Sequence, residues 1–207
     1  MKRQTLAPVR ALDKVAGFGT WVGGICLIVS STLIVVDLLL RKFAGWSLGG
    51  ADEIAGYVLA IVSAWAFPIT LLRRSHIRVD VVYTHMPGGI RIALDLFAMA
   101  CMGVFIGVLT YHAWQVLMDS ISFNAISNTP LQVPQWIPQS MWFAGYAFFM
   151  VTIVVLFACS LWLLAKRRPR EVGRLIGINS VEEEISEEVQ VEQKADPALS
   201  HQAAQEK

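Results

Sequence analysis

The chain has 207 residues, of which 55% are hydrophobic and only 16% charged, and its mean hydropathy is +0.54. That composition excludes an ordinary soluble domain and points to the membrane class. The net charge of +1 hides an asymmetry: residues 1–174 carry 15 Lys/Arg against 8 Asp/Glu, and residues 175–207 carry 2 against 8. A basic membrane portion is therefore followed by an acidic tail, and no nucleic-acid partner is expected.

In chain order, a basic N-terminus (1–14, with Lys2, Arg3, Arg10 and Lys14) precedes an apolar run over 15–40. The run is much longer than the roughly 7–15-residue core of a signal peptide, so it predicts a retained transmembrane helix. Gly19 and Gly23 form a GxxxG pair within it, and Asp37 has Arg41 four residues on, the spacing of a helical ion pair. After the turn-like FAGWSLGG, Asp52 and Glu53 open a second span over 51–72, where acids suit the free N–H groups and dipole of a helix start. Gly56, Ala60 and Ala64 make a small-residue stripe there, Trp65 reads as a packing residue, and Pro68 is expected to kink the helix or end it early.

Next comes LLRRSHIRVDVVYTHMP, which crowds Arg73, Arg74, His76, Arg78 and Asp80 together and closes on Pro87. A third span follows over 92–118, with Asp95 four residues after Arg91, a second GxxxG at Gly103 and Gly107, and a solitary His112. Residues 119–136 are polar and punctuated by proline. Pro130, Pro134 and Pro138 favour an extended path, with Trp136 and its apolar neighbours able to rest on the membrane or meet a partner. The fourth span covers 137–165, and 169–207 reads as a disordered acidic tail with at most a short helix over 181–189.

Each run reaches the about 20 residues that cross the hydrocarbon as a helix. The predicted fold is thus an all-α integral membrane protein with a four-helix domain over 15–168 and short in-plane helices in its connections. Lys and Arg gather at the N-terminus, over 73–91 and over 166–170, which predicts both termini and the 73–91 loop on the cytoplasmic side. Arg41 and Lys42 oppose that rule. Trp46, Trp114, Trp136 and Trp142 mark the outer boundary, and Trp21 and Trp162 the inner one.

Chemistry is sparse. Three cysteines, Cys26, Cys101 and Cys159, all sit in apolar runs and suggest packing rather than a disulfide or a metal site. No catalytic, cofactor-binding or metal-ligating set is expected. A four-helix redox subunit holding haem or quinone would need paired histidines inside the bundle, and only His112 lies in a span. That alternative, and a homo-oligomeric small transporter, remain open on residues alone.

Three stretches carry a family resemblance: DLLLRKFAGWSLGGADEIAGYVL, RRSHIRVDVVYTHMP and NTPLQVPQWIPQSMWFAGYAFFM. Their order and position on four spans resemble the small membrane subunit of tripartite ATP-independent periplasmic (TRAP) transporters, the DctQ-like family, from about residue 20 to 168. Asp52 stands where that family often has Glu. The resemblance implies a small scaffold subunit of a sodium-coupled importer of organic acids such as dicarboxylates, working by symport in the bacterial inner membrane. Its implied partners are a large DctM-like permease subunit, which moves as an elevator, and a periplasmic solute-binding protein. Arg73, Arg74 and Arg78 would then fix topology and bind anionic lipids, and Asp80 would cap an in-plane helix ending at Pro87. Asp37, Arg41, Asp52, Glu53 and the glycines at 19, 23, 56, 103 and 107 would serve ion pairing or subunit contact.

Overall fold

The computed structural model describes residues 7–74 and 87–176, with the side chains of residues 169, 170 and 174 excepted. Five helices run through them: α1 (Ala7–Ala44), α2 (Ala51–Leu72), α3 (Gly88–Ser122), α4 (Trp136–Ala165) and α5 (Pro169–Ile176). The first four are long and apolar enough to cross a membrane, as expected. α2 and α4 keep to the expected bounds within a residue, whereas α1 and α3 outrun the apolar segments that predicted them. At 1.5 Å per residue the 38 residues of α1 reach about 57 Å, well beyond about 30 Å of hydrocarbon. Beyond the bilayer a helix needs good helix formers rather than apolar ones, and ALDK before the span supplies them.

Burial along α1, α3 and α4 repeats every seven residues. On α1 the buried set is Val9, Ala16, Gly23, Ser30 and Asp37. On α3 it includes Met99, Ile106, Ala113 and Ser120. On α4, Pro138, Gly145 and Thr152 form one such row, and Phe149, Leu156 and Leu163 another. A seven-residue repeat keeps one seam facing the neighbour when helices cross left-handedly at about +20°. Hydroxyls on these seams return their hydrogen bonds to their own helix, Thr152 to Phe148 O at 2.9 Å and Ser160 to Leu156 O at 2.8 Å. These hydroxyls, and Ser30 with its bond to Leu27 O at 3.1 Å, therefore carry no unpaired donor into an apolar setting.

Packing follows the order α1–α2–α4–α3. α1 lies chiefly on α2 and α3 chiefly on α4, while α2 and α4 meet in the middle. The result is an open row more than a closed bundle. Large apolar side chains on its faces, Phe18, Ile28 and Val104 among them, point outward.

The centre of the row is a three-helix contact at Trp65. A Cβ at Gly19 of α1 would stand 3.0 Å from the Trp65 ring, and one at Gly145 of α4 would stand 2.8 Å from Ala64 Cβ and 3.0 Å from Trp65. The indole N–H donates to Met141 O at 3.1 Å, and the ring stacks on Phe148 with centroids 5.8 Å apart. Trp65 is a packing residue as predicted, but one that ties three helices. Pro68 is buried within α2, which continues to Leu72, so it does not end the helix early. Its missing N–H leaves the Ala64 carbonyl without a helical donor at the turn pressed against Gly145.

At the other end of the chain, α4 closes in a Schellman arrangement. Arg168 N donates to Leu163 O at 3.1 Å and Arg167 N to Leu164 O at 2.9 Å, with Arg167 at φ 55°. The chain then turns into α5, which packs on α4 and α3 with Val172 and Ile176 buried. This helix opens the segment expected to be a tail, and its apolar spacing over four residues was too short a signal to read. The remainder of the tail, and the in-plane helix expected to end at Pro87 with Asp80 as its cap, lie outside the described residues. The two described connections between spans, 45–50 and 123–135, contain no helix.

Candidate functional site: a polar web at one end of the row

Two clusters of polar side chains organise the end of the row formed by 45–50 and 123–135. In the first, α1 brings Asp37 to the turn that follows it. Arg41 Nη2 lies 2.7 Å from Asp37 Oδ2, while Asp37 Oδ1 accepts from Leu48 N at 2.7 Å and from Ser47 Oγ at 3.1 Å. Arg41 Nε also donates to Ser47 at 3.0 Å, and Asp52 lies 3.8 Å from the guanidinium. The helical pair expected at Asp37 and Arg41 is present, and it also folds the turn. Gly45 and Gly49 occupy left-handed backbone at φ 64° and 69°, which lets so short a segment reverse. Arg41, one of the two cations that oppose the charge rule, is thus neutralised locally. Lys42 lies over the Phe43 ring, its Nζ 5.6 Å from the centroid.

The second cluster joins α2 to the 123–135 connection. Glu53 accepts from Tyr57 OH at 2.5 Å through one carboxylate oxygen and from Thr129 Oγ1 through the other. Tyr57 OH in turn accepts from Gln135 Nε2 at 3.1 Å, and Ser127 Oγ lies 2.9 Å from Thr129 Oγ1. Within the connection, Ser127 N donates to Val133 O and Gln135 N to Ala125 O, both at 2.9 Å, around a bridge between Ile126 and Pro134. Leu131 packs directly on Gly50, where any Cβ would collide with it, and Pro130 lies 3.8 Å from where a Cβ would stand on Gly49. The two connections are therefore fastened to each other as well as to α2.

The predicted residues divide clearly. Asp37, Arg41, Asp52 and Glu53 converge at this end with Pro130 and Pro134, and Trp136 and Pro138 start α4 beside them. Gly19, Gly23, Gly103 and Gly107 face neighbouring helices of this chain: Trp65, Val62, Ile153 and Met150 respectively lie nearest. Gly56 instead faces open space. Arg73 and Arg74 end α2 at the opposite, basic end, and Pro87 caps the start of α3 there. His76, Arg78 and Asp80 lie outside the described residues.

Sequence reasoning missed Tyr57, Thr129, Gln135 and Gly145. The first was findable, because Glu53 and Tyr57 are four residues apart on a helix. The others are 76 or more residues from their partners, and nothing local marks them.

His112 bonds to Gln115 through Nδ1 at 3.0 Å and meets the Tyr111 ring edge-on. It borders an apolar groove of about 740 Å³ between α3 and α4, lined by Gly103, Gly107, Met150 and Val154 among others. No second histidine lines that groove, so the paired ligands of a haem site are not formed by the described residues.

The arrangement holds a shape: each of these polar side chains is spent on fixing a turn or a connection. Comparison with known proteins supplies what the geometry serves. The DctQ component of tripartite ATP-independent periplasmic transporters matches residues 30–163, which include both clusters and the contact of Trp65 with Gly145. No curated protein and no solved structure matches the chain. With four membrane-crossing helices and a match over most of its length, the chain belongs to the DctQ family: it is a multi-pass inner-membrane protein, the small membrane subunit of a TRAP transporter that works beside a large permease and a binding protein, and not an enzyme.

Proposed function

We propose that this subunit is a scaffold of a sodium-coupled importer of organic acids: it holds a large elevator permease in the membrane and gives the periplasmic solute-binding protein part of its landing surface. The observation that carries the reading is the family match over residues 30–163 on helices arranged as an open row. An open row leaves broad apolar faces for lipid and for a larger partner, and small residues such as Gly56 on an outward face suit close helix approach.

The deciding experiment is gentle detergent purification of the tagged chain with its large subunit, then reconstitution. Expected are co-purification and sodium-dependent uptake of a carboxylate substrate only when both subunits and the binding protein are present. Transport by the small chain alone would instead favour a homo-oligomeric transporter.

Orientation follows the same reading. The basic end, with Arg73, Arg74, Lys166, Arg167 and Arg168, would face the cytoplasm. Arg41, at the other end, conflicts little with this because Asp37 balances it. Cysteine placed at Asn128 in a variant lacking native cysteines should react with a membrane-impermeant maleimide added outside. Reversing charge at Arg73 and Arg74 together should convert part of the population to an unreactive, inverted form; an unchanged labelling fraction would count against the assignment.

The basic end also bears on lipid. Arg74 and Arg167 occupy left-handed positions at φ 58° and 55°, where glycine would be free of strain and a side chain costs about 1–2 kcal/mol. Retaining arginine there is consistent with use of its charge on anionic head groups, each worth roughly 1 kcal/mol near such a surface. Lys166 stands beside them with its Nζ 3.8 Å from the centre of the Trp162 ring. Arg167→Gly should melt no lower than the parent in neutral detergent, yet gain less thermal stability from added anionic phospholipid. An equal gain would remove the lipid role from Arg167.

A further inference from the structure

We propose that Glu53 is a positioning residue that latches the 123–135 connection into the shape on which the soluble solute-binding protein docks. The inference rests on the scaffold reading above and names the surface and the device that reading lacks.

Four observations meet here. First, the connection is more than twice as long as 45–50, although α3 and α4 are packed neighbours that a few residues would join. Connections of that length without helix are uncommon in compact folds and tend to be functional. Second, it is ordered by its own bonds. Ser127 N donates to Val133 O, Gln132 N to Thr129 O, and the Ile126–Pro134 bridge closes the loop on itself. Ordering a loop's backbone costs conformational entropy, which for a loop of this size only such a set of contacts offsets. Preformed surfaces lose less freedom on binding than mobile ones.

Third, the fixed loop presents a mixed surface. Asn124, Asn128 and Gln132 are exposed beside the half-exposed side chain of Ile126, and no charged residue lies between 120 and 135. It lies beyond the end of the span that Trp136 opens, and with Trp46 and Trp136 read as boundary residues its occupant comes from solution and not from the bilayer. Of the two partners of this transporter class, the soluble one is the binding protein.

Fourth, the only carboxylate bonded to the connection among the described residues is Glu53, and it grips from outside. One oxygen holds Thr129, the other holds Tyr57, and Tyr57 holds Gln135. The middle of the loop and its C-terminal end are thereby tied to α2 through the web around a single side chain. Its remaining hydrogen bonds among the described residues run within the loop or to the adjoining turns of α3 and α4, and Leu131 rests on Gly50, so the web around Glu53 is its hydrogen-bonded tie to α2.

The test uses the reconstituted complex of both subunits, with uptake measured against binding-protein concentration. Glu53→Leu and, separately, Thr129→Val should raise the binding-protein concentration for half-maximal uptake about fivefold or more. Maximal uptake at saturating binding protein and recovery of the two-subunit complex should stay close to the parent's. Glu53→Gln, which keeps one acceptor oxygen, should fall between. Asn128→Trp, on the loop surface and outside the web, should produce a comparable shift.

A shift for Asn128→Trp with none for Glu53→Leu and Thr129→Val would overturn the latch. Unchanged half-saturation in all of them, with uptake still dependent on binding protein, would overturn the docking surface while leaving the scaffold reading intact. Uptake indifferent to binding protein would instead defeat the scaffold reading itself. Loss of complex recovery in both Glu53→Leu and Thr129→Val would reduce the web to a structural role and defeat the proposal.

Discussion

Gly145→Leu is expected to force α2 and α4 apart and to lower the melting temperature of the purified subunit sharply. A Cβ there would meet Ala64 Cβ at 2.8 Å, Trp65 at 3.0 Å and the Ala64 carbonyl carbon at 3.1 Å. Two of these neighbours belong to the backbone or sit directly on it, so rotamer change cannot relieve the contact. Overpacking in a close-packed interior costs about 1–3 kcal/mol, and a backbone clash belongs at the upper end. The paired control is Gly56→Leu, at a position open within this chain. It should leave the isolated subunit's melting temperature unchanged and reduce recovery of the large subunit, since the proposal places that face against a partner. Equal destabilisation by the two changes would refute the three-helix contact as the centre of the row.

Trp65→Ala should produce the second large loss, and Trp65→Phe separates its causes. The indole contributes one interhelical hydrogen bond, to Met141 O, and a ring wedged among Gly19, Gly145 and Phe148. Interhelical hydrogen bonds in membranes average only about 0.6 kcal/mol. Truncating a packed Trp to Ala costs about 3–5 kcal/mol in water-soluble cores. Lipid weakens the transfer part of that cost but not the lost contacts. Packing therefore outweighs the bond: Trp65→Phe should cost a small fraction of what Trp65→Ala does, measured by thermal unfolding in one detergent. Comparable losses would mean the hydrogen bond dominates.

Both changes act at residues whose importance local pattern did not reveal. Gly19 and Gly23 were legible as a GxxxG seam, and each meets α2 as such a seam should. Gly56 has the same local look and meets nothing. Gly145 has no partner small residue four positions away, yet makes the tightest helix–helix approach among these glycines after allowing for side-chain flexibility at Gly23. A glycine's sequence neighbours describe its own helix, whereas its use depends on what stands opposite.

The same distinction runs through the polar residues. Asp37 and Arg41 were readable as a pair because one helix turn sets their separation, and the structure adds only that the pair also folds the turn at 47–48. Glu53 was readable as an acid at a helix start. Its link to Thr129 was not, because 76 residues intervene and neither end is unusual by itself.

By itself, then, the sequence determined that this is a four-span membrane protein, where its spans lie to within a few turns, and to which family it belongs. Those properties follow from apolar length against bilayer thickness and from motifs in order along the chain, both of which are local. Only the tertiary structure decided the row order α1–α2–α4–α3, the wedge of Trp65 between three helices, the fold-back of α5 and the latch from Glu53 to the 123–135 connection. The reason is physical. Lipid rewards any apolar surface alike, so hydrophobicity says which segments enter the bilayer but not which faces meet. Partner choice falls to close approach and a few hydrogen bonds, and these exist only once distant segments stand side by side.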